Sequence, residues 1–317
     1  CTLPLAHEGL GASWQLRIGL SPSHGSAHKK SSDSVYVSWM TEATKTIVAT
    51  PVIKWAGGKR RLLNEILART PNEIDTFYEP FCGGAALFFA LSARKRFKNA
   101  VLNDLNRELI ETYQVIQGDS VRDLIALLKT YPHNRDFYNH IRMVTADQLD
   151  SPTIRAARFL YLNRTSFNGL YRVNKKGVFN APFGKYVNPR ICDPELLMRA
   201  HEAFQGVTLT SVDFMECVRG AKPGDFVYFD PPYLPISETS NFTSYTSRGF
   251  GFHDHQRLAA TMSTLRDNGV AGLLSNSDAP AIRTLFDGFQ VDSVSAPRSI
   301  NSKGDRRGNV GELLISC

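Results

Sequence analysis

One short apolar run, Phe226-Val227-Tyr228-Phe229, limits the possible folds of this chain more than any other stretch. It is too brief for a buried helix, and it follows the turn-forming residues Lys222-Pro223-Gly224-Asp225. A run of this kind, bounded by Gly and Pro, predicts a buried β-strand. Asp230-Pro231-Pro232-Tyr233 come directly after the carboxyl end of that strand. Ligands bind at this edge of open α/β sheets, so the tetrapeptide is the first candidate site.

The residue types in this tetrapeptide suit the capture of a planar amine. An exocyclic amino group on a base is a poor nucleophile because its lone pair is delocalised into the ring. The Asp230 carboxylate and the Pro231 carbonyl can each accept one amino hydrogen, and proline adds no competing N–H group. Tyr233 offers a flat face on which a base can stack. The alternative is a proline-rich turn with a capping Asp and a Tyr on the core, and it is the better explanation of the tetrapeptide alone.

Predicted strands and helices alternate on both sides of one long interruption. Before it lie strands at 75–79 and 100–103 and helices at about 59–68, 85–91 and 106–116. After it lie strands at 207–212, 226–229, 270–275, 289–294 and 312–316 and helices at about 254–268 and 279–286. This alternation predicts a doubly wound α/β sheet. We therefore predict a sheet domain of 51–117 and 206–317, interrupted by a smaller, mostly helical domain of 118–205.

Residues 1–50 differ in composition from the rest of the chain. They are rich in Ser, Gly and His and have no sustained periodicity, which predicts a disordered or non-native extension. Met40 stands a short polar lead before the first motif. We hypothesise that Met40 is the natural start, so that a chain beginning there keeps full activity.

Composition sets wide limits on the partners of the chain. The net charge of +7 and the pI near 9.2 permit a polyanionic partner without requiring one. No apolar run is long enough to span a membrane. The five cysteines form no CxxC pair and no His/Cys metal spacing. This pattern predicts reduced thiols in a cytoplasmic protein without a bound metal.

A glycine pair and a downstream acid indicate a nucleoside-containing cofactor. Glu79-Pro80-Phe81-Cys82-Gly83-Gly84 lies where a strand turns into a helix, and glycines there let a ligand approach the backbone. Asp104 follows at the end of the next predicted strand, where an acid can hold the two hydroxyls of a ribose. Asp213 and Phe214 end the strand at 207–212 and can serve an adenine ring, although Asp213 alone is also typical of a helix cap.

The window from Ser151 to Cys192 contains eight basic residues and no Asp or Glu. Aromatic residues are interleaved with these cations, and Tyr171–Phe179 is predicted to form a β-hairpin with its turn at Asn174–Gly177. A run of charge is usually a solvated face. The complete absence of acids over this length favours a surface that binds nucleic acid.

Taken together, these motifs resemble the Dam family of DNA adenine-N6 methyltransferases. The resemblance covers about 52–316 and keeps the family's order of cofactor, recognition and catalytic motifs. It rests on Lys54-Trp55-Ala56-Gly57-Gly58-Lys59, the Glu79–Gly84 segment, Asn168-Gly169-Leu170-Tyr171-Arg172, Phe179-Asn180-Ala181-Pro182-Phe183-Gly184-Lys185-Tyr186 and Asp230-Pro231-Pro232-Tyr233. It implies a Rossmann-like S-adenosylmethionine-dependent methyltransferase sheet, with 118–205 as an inserted target-recognition domain that carries the hairpin.

The resemblance also implies a mechanism. The target adenine leaves the duplex and stacks on Tyr233, while Asp230 and the Pro231 carbonyl, with Pro232 beside them, aim its N6 atom at the methyl group of S-adenosylmethionine. No metal is needed. The residues implied to line the cofactor pocket are Trp55, Lys59, Glu79, Phe81, Gly83, Asp104, Asp213, Phe214 and Asp230.

For sequence recognition the resemblance implies GATC in double-stranded DNA. Lys54 matches the position that contacts the first guanine. Phe167 matches the aromatic residue that fills the gap left by the flipped base, with Asn168 beside it. The other implied DNA contacts are Leu170, Arg172 and Pro182 on the remaining base pairs, where Arg172 suits bidentate guanine contact, and Lys185 and Ser237 on phosphates.

Several alternatives share the same chemistry. Asp-Pro-Pro-Tyr can also act on cytosine N4, on adenine in RNA or on a glutamine amide in a protein, and a DNA-binding relative can lack activity. The basic, acid-free window favours nucleic acid over protein, and intact Asp230 and glycines favour an enzyme. We expect a monomer that meets DNA in the cytoplasm, at the nucleoid.

Overall fold

The computed structural model describes residues 49–55, 57–59, 62–174, 177–234, 249–296 and 310–317. Its contacts group Val48–Cys317 as one compact unit. The predictions about an N-terminal extension and about Met40 lie outside the described residues, as does Ser237. None of the helices in these ranges is long and apolar enough to cross a membrane.

A mixed sheet forms the centre of the described part of the chain. Its seven strands are β1 (Ile74–Glu79), β2 (Phe97–Asn103), β3 (Thr208–Thr210), β4 (Phe226–Phe229), β5 (Ala271–Ser277), β6 (Gln290–Ala296) and β7 (Val310–Ser316). They are ordered β3-β2-β1-β4-β5-β7-β6. Neighbours from β3 to β5 are parallel, and β7 runs antiparallel to both β5 and β6. This is the Rossmann-like topology that the sequence predicted.

Ten α-helices lie in the described ranges. They are α1 (Leu63–Ala68), α2 (Ala86–Ser92), α3 (Arg107–Gln117), α4 (Val121–Thr130), α5 (Arg135–Met143), α6 (Pro152–Thr165), α7 (Pro194–Ala203), α8 (Phe214–Cys217), α9 (Phe252–Asp267) and α10 (Pro280–Leu285). The sequence predicted α2, α3, α9 and α10 to within a few residues. It placed the start of α1 too early and missed α8.

Strand β4 is buried on both faces, as predicted for a central parallel strand. Phe226 and Tyr228 belong to a core with α2, α3, α4, α6 and α7 on one side of the sheet. Val227 and Phe229 belong to a core with α9 and α10 on the other side. Strand β4 therefore presents Asp230 from a backbone that is packed in both directions.

Strand β3 is shorter than the predicted 207–212, and a buried amide explains why. The Asn103 side chain donates to the carbonyls of Pro80 and Val212, both at 3.0 Å, and accepts from the Val212 N–H at 2.9 Å and the Thr210 hydroxyl at 2.9 Å. Beyond Thr210 this side chain takes the place of the sheet ladder. It also fixes the ends of β1 and β3 to each other.

The segment 118–205 packs against the sheet core through α6. Arg158 of α6 is 1% exposed; it donates to Glu108 of α3 at 2.8 Å and to the Val144 carbonyl at 2.7 Å. Arg155 pairs with Glu111 at 2.6 Å. These two cations therefore face acids inside the protein, which the acid-free window did not indicate. The division into a catalytic and a recognition domain stays a prediction.

The predicted hairpin is present in a reduced form. A single antiparallel bridge joins Val173 to Phe179 among the described residues of this segment. The Gly177 N–H donates to the Asn174 carbonyl at 2.9 Å, so the predicted turn is confirmed. Asn180 N–H donates to the Arg172 carbonyl at 2.8 Å on the far side of the bridge.

Candidate active site

The carboxyl ends of the parallel strands bring the predicted site residues to one edge of the sheet. Glu79 ends β1, Asp104 follows β2 and Asp230 follows β4, and these three strands are parallel neighbours. Parallel strands end at the same edge, so the three carboxyl groups lie in one region. The glycine turn, Asp104 and the Asp-Pro-Pro-Tyr segment therefore all lie at this edge.

Asp230 is held by a lysine and a serine. The Lys59 ammonium lies 2.8 Å from Asp230 Oδ1, and the Ser275 hydroxyl donates to the same oxygen at 3.1 Å. Tyr228 and Ser275 share a further hydrogen bond of 2.9 Å. Burial raises the pKa of the Asp230 carboxyl above its ordinary value, and the positive charge of Lys59 opposes that rise. The sequence had assigned Lys59 to the cofactor pocket and had not indicated Ser275.

Tyr233 is held at its hydroxyl, and a cation lies over its ring. The hydroxyl donates to Glu312 Oε2 of β7 at 2.7 Å. The Lys59 ammonium lies 4.3 Å from the centre of the Tyr233 ring. One cation therefore touches both the carboxylate and the aromatic face that sequence reasoning assigned to an amine.

The backbone after Tyr233 is fastened to the end of β5. Leu234 N–H donates to Asn276 Oδ1 at 3.3 Å, and the Ser277 hydroxyl donates to the Leu234 carbonyl at 2.7 Å. Sequence reasoning gave no role to Ser275, Ser277 or Glu312. The signal that could have found Ser275 and Ser277 is their position near the carboxyl end of β5, a parallel neighbour of β4.

Glu79 is the most isolated acid of the site. Its side chain is buried, at 3% exposure, and its Oε2 atom has no hydrogen-bond partner among the described residues. Burial, reinforced by the negative charge of Asp230, raises the pKa of Glu79 well above its ordinary value. An unpartnered buried oxygen is costly, so this atom is suited to a ligand that donates a hydrogen bond.

The glycine turn is covered by Trp55. Gly83 has a φ of +43°, and a Cβ there would lie 2.5 Å from the Trp55 ring, so only glycine permits this contact. Trp55 stacks on Tyr171 with ring centres 5.7 Å apart. The Tyr113 hydroxyl donates to the Gly83 carbonyl at 2.6 Å. The turn is thus held from both sides.

Asp104 receives backbone N–H groups on both oxygens. Gly83 N–H donates to Oδ2 at 3.1 Å, and Asn106 N–H donates to Oδ1 at 2.9 Å. Burial raises the pKa of Asp104 to about 6, although these two N–H groups act in the opposite direction. The carboxyl group lies directly beside the glycine turn.

Asp213 and Phe214 lie at the end of β3. Asp213 accepts from Met215 N–H at 3.0 Å as the cap of α8, so the helix-cap alternative is confirmed. The same oxygen is 2.8 Å from Arg257 of α9. Phe214 packs on Phe81 with ring centres 5.5 Å apart. These rings form an apolar wall beside the glycine turn.

Most of the predicted DNA contacts lie on the surface of 118–205, and Lys54 contacts the same segment. Phe167 is 47% exposed, and Asn168 beside it is exposed with a φ of +55°. Lys54, Arg172, Pro182 and Lys185 are exposed, whereas Leu170 is half-buried. Lys54 Nζ donates to the Tyr186 hydroxyl at 3.3 Å, and Arg172 Nε donates to Asn180 Oδ1 at 2.7 Å.

The seven-stranded topology, with Asp-Pro-Pro-Tyr directly after β4, is that of a Rossmann-like methyltransferase fold. The described residues contain no group of three or more His, Cys, Asp or Glu side chains able to hold a metal ion. Residues 55–300 match the family described as "D12 class N6 adenine-specific DNA methyltransferase", and the chain belongs to that family. The predicted resemblance and enzyme class are thereby confirmed, and a methyl donor and DNA are the reactants of this class.

Named relatives agree with the family. The Type II methyltransferase M1.LlaDCHI of Lactococcus lactis is 42% identical over 273 residues, covering 84% of this chain and 94% of that protein. The Type II methyltransferase M.MjaIII of Methanocaldococcus jannaschii is 38% identical, covering 84% and 98%. A DNA adenine methylase of Vibrio cholerae is 36% identical, covering 83% and 94%.

Proposed function

We propose that this enzyme transfers a methyl group from S-adenosylmethionine to N6 of an adenine flipped out of GATC in duplex DNA. The observation that carries the proposal is the grouping of Asp230 and Tyr233 around one nitrogen, that of Lys59, at 2.8 Å and 4.3 Å. An adenine stacked on Tyr233 would bring its amino group to the Asp230 oxygen that the Lys59 ammonium contacts in this structure. The site is therefore shaped and charged for a nitrogen that donates hydrogen bonds.

The residues of the site suit their roles in methyl transfer. Asp230 and the Pro231 carbonyl each accept one N6 hydrogen, which directs the nitrogen lone pair toward the donor. Transfer would form the N6–carbon bond, break the methyl–sulfur bond of the donor to leave a neutral thioether, and require N6 to give up one proton. The raised pKa of Asp230 makes it a better acceptor for that proton than an exposed carboxylate. Ser275 and Lys59 hold the carboxylate in place until the base arrives.

The donor side fits S-adenosylmethionine. When bound, this donor supplies an electrophilic methyl group on a sulfonium centre. The unpartnered Oε2 of Glu79 can accept from an ammonium group, and Asp104 can accept from ribose hydroxyls. The Trp55 ring lies against Gly83 of the glycine turn, and the wall of Phe81 and Phe214 can cover an adenine. Lys59 would leave Asp230 as the base enters and remain near the donor.

The DNA side supports reading of a short sequence at an extruded base. Phe167 projects from the surface and can fill the space that the target adenine leaves, with Asn168 next to it. We assign the first guanine to Lys54 and the remaining base pairs to Leu170, Arg172 and Pro182. Arg172 can make two hydrogen bonds to a guanine, the commonest specific contact of this kind. Lys185 and Ser237 are assigned to phosphates.

The test is methylation of plasmid DNA in a host that lacks adenine methylation. Expression of the chain should make the plasmid sensitive to a nuclease that cuts only methylated GATC. Asp230→Ala should abolish transfer of labelled methyl groups while duplex binding continues. Asp75→Ala is the matched control, because Asp75 is a half-exposed acid at the amino end of β1 and pairs with Lys98. A resistant plasmid, or transfer that survives Asp230→Ala, would contradict the proposal.

A further inference from the structure

A single buried amide joins the donor side of the site to its DNA-reading side. We propose that Asn163 is a positioning residue that holds Lys54 and the loop Phe167–Gly169 at one fixed spacing, and so couples donor binding to DNA binding. The inference rests on the proposed function, because that function assigns Lys54 and Phe167 to DNA and Trp55 to the donor.

Every hydrogen bond that the structure records for the Asn163 side chain is made to one of these two segments. Its Oδ1 accepts from the Lys54 N–H at 2.9 Å. Its Nδ2 donates to the Lys54 carbonyl at 2.7 Å and to the Gly169 carbonyl at 3.2 Å. The residue is 1% exposed. A side chain with one acceptor and two donors is needed for this pattern, and only Asn and Gln carry it as a neutral amide.

The two segments approach as closely as their atoms allow. Gly169 has a φ of +66°, and a Cβ there would lie 2.7 Å from the Lys54 side chain. No other residue fits without moving Lys54 or the loop. Ser166, immediately before the loop, pairs with Phe183, and Phe167 N–H donates to the Pro182 carbonyl at 2.8 Å. A shift of Lys54 would therefore also move the ring of Phe167 and the base of the hairpin.

The same face of α6 also contacts the donor side. Phe159 lies four residues before Asn163, which is about one helical turn. Its ring stacks on Trp55 with centres 6.4 Å apart. Trp55 follows Lys54 in the chain and covers Gly83 of the glycine turn. A donor that fixes Trp55 in place thus also restrains its chain neighbour Lys54, which Asn163 holds.

A physical link of this kind has a thermodynamic consequence. If donor binding stabilises the arrangement that Asn163 maintains, the donor must strengthen DNA binding, and DNA must strengthen donor binding by the same factor. Without the amide, each side can still bind its own partner. The coupling between them, and the alignment of Lys54 with its base pair, should be lost.

The experiment uses two substitutions in the full chain. Asn163→Asp keeps the shape and one acceptor but removes both donated hydrogen bonds, and Asn163→Leu removes all three without adding charge. Thr165→Val is the matched control: Thr165 is equally buried in α6, and its hydroxyl bonds only the Tyr161 carbonyl, at 2.7 Å, in the described structure. Thermal unfolding of all four proteins records any general loss of stability.

Three quantities are then measured: S-adenosylmethionine binding without DNA, duplex binding with and without the donor product S-adenosylhomocysteine, and the preference for GATC over a duplex with its first base pair changed. We expect both Asn163 variants to bind the donor like wild type and to lose the donor-dependent gain in duplex affinity. Their preference at the first base pair should fall by about tenfold. Thr165→Val should keep both properties.

The outcomes separate this inference from the proposed function. A wild-type enzyme without any preference for GATC contradicts the proposed specificity. The role of Asn163 is still tested in that case, because the gain in duplex affinity on adding the donor product can be measured on any duplex that binds. Asn163 variants that keep the gain and the preference overturn the inference. So does a wild type whose duplex affinity does not respond to the donor product.

Discussion

Removal of the Lys59 charge should shift the pH dependence of methyl transfer. Lys59→Met keeps an unbranched side chain of similar length and takes away the ammonium that lies 2.8 Å from Asp230. Both side chains are largely shielded, at 11% and 19% exposure, so solvent screens this pair much less than a surface pair. The carboxylate would then retain Ser275 as its hydrogen-bond donor in the described structure.

The size and sign of the effect follow from the groups that face Asp230. A close cation lowers the pKa of a carboxyl group by about 1–3 units, and each unit is about 1.4 kcal/mol. Burial already raises the pKa of Asp230, and the nearby charge of Glu312 adds to that rise. Loss of Lys59 must therefore raise it further. The proposed reaction needs the ionised carboxylate, so the acid limb of the rate profile should move upward by about 1–3 pH units.

The assay is the pH dependence of kcat/KM for DNA at saturating donor, which reports the ionisation of Asp230 before the base enters and Lys59 leaves. Lys59→Arg retains the charge and should keep the acid limb near its wild-type position. Lys98→Met is the matched control, because Lys98 of β2 pairs with Asp75 at 2.6 Å near the amino ends of β1 and β2, at the opposite edge of the sheet from Asp230. An acid limb that stays in place in Lys59→Met, or moves to lower pH, would refute the assignment of Asp230 as a carboxylate acceptor governed by Lys59.

Two further predictions concern the donor and the flipped base. With the pKa of Asp104 at about 6, donor affinity should weaken by roughly tenfold between pH 7 and pH 5 as the carboxylate is protonated, and calorimetry should find this dependence absent in Asp104→Asn. A dependence that persists in the variant would contradict the assignment. Phe167→Ala should lose about 1–3 kcal/mol of stacking and methylate a paired adenine more slowly than a mismatched one, whereas Phe167→Tyr should retain activity. The fluorescence of 2-aminopurine reports the flipping step. Equal losses on paired and mismatched substrates would contradict this role of Phe167.

The sequence predicted the parts of the fold that depend on local pattern. The apolar run at 226–229 became β4 because its residues can be buried on both faces, and the acid after it had to lie at the carboxyl edge. Asp104 beside the glycine turn followed from the same reasoning about parallel strands. Pattern and strand direction were sufficient for these.

The missed features depend on contacts between distant segments. Ser275 and Glu312 reach the site from β5 and β7, far along the chain, and no local pattern connects them with Asp230 or Tyr233. Strand β3 ended early because the Asn103 side chain takes over its ladder. Helix α8 is a single turn, too short for periodicity to indicate it. Each of these depends on a side chain whose partner the linear sequence does not specify.

The inward-facing arginines of α6 change what a polyanion meets on this protein. Of the eight cations between Ser151 and Cys192, Arg155 and Arg158 are neutralised by Glu111 and Glu108, which leaves at most six for phosphates. When log duplex affinity is plotted against log salt concentration, the slope has a magnitude of about 0.9 for each phosphate neutralised. The window should therefore contribute at most six charges to that slope. Arg155 and Arg158 instead join α6 to α3 within the protein, and salt should leave these two ion pairs intact.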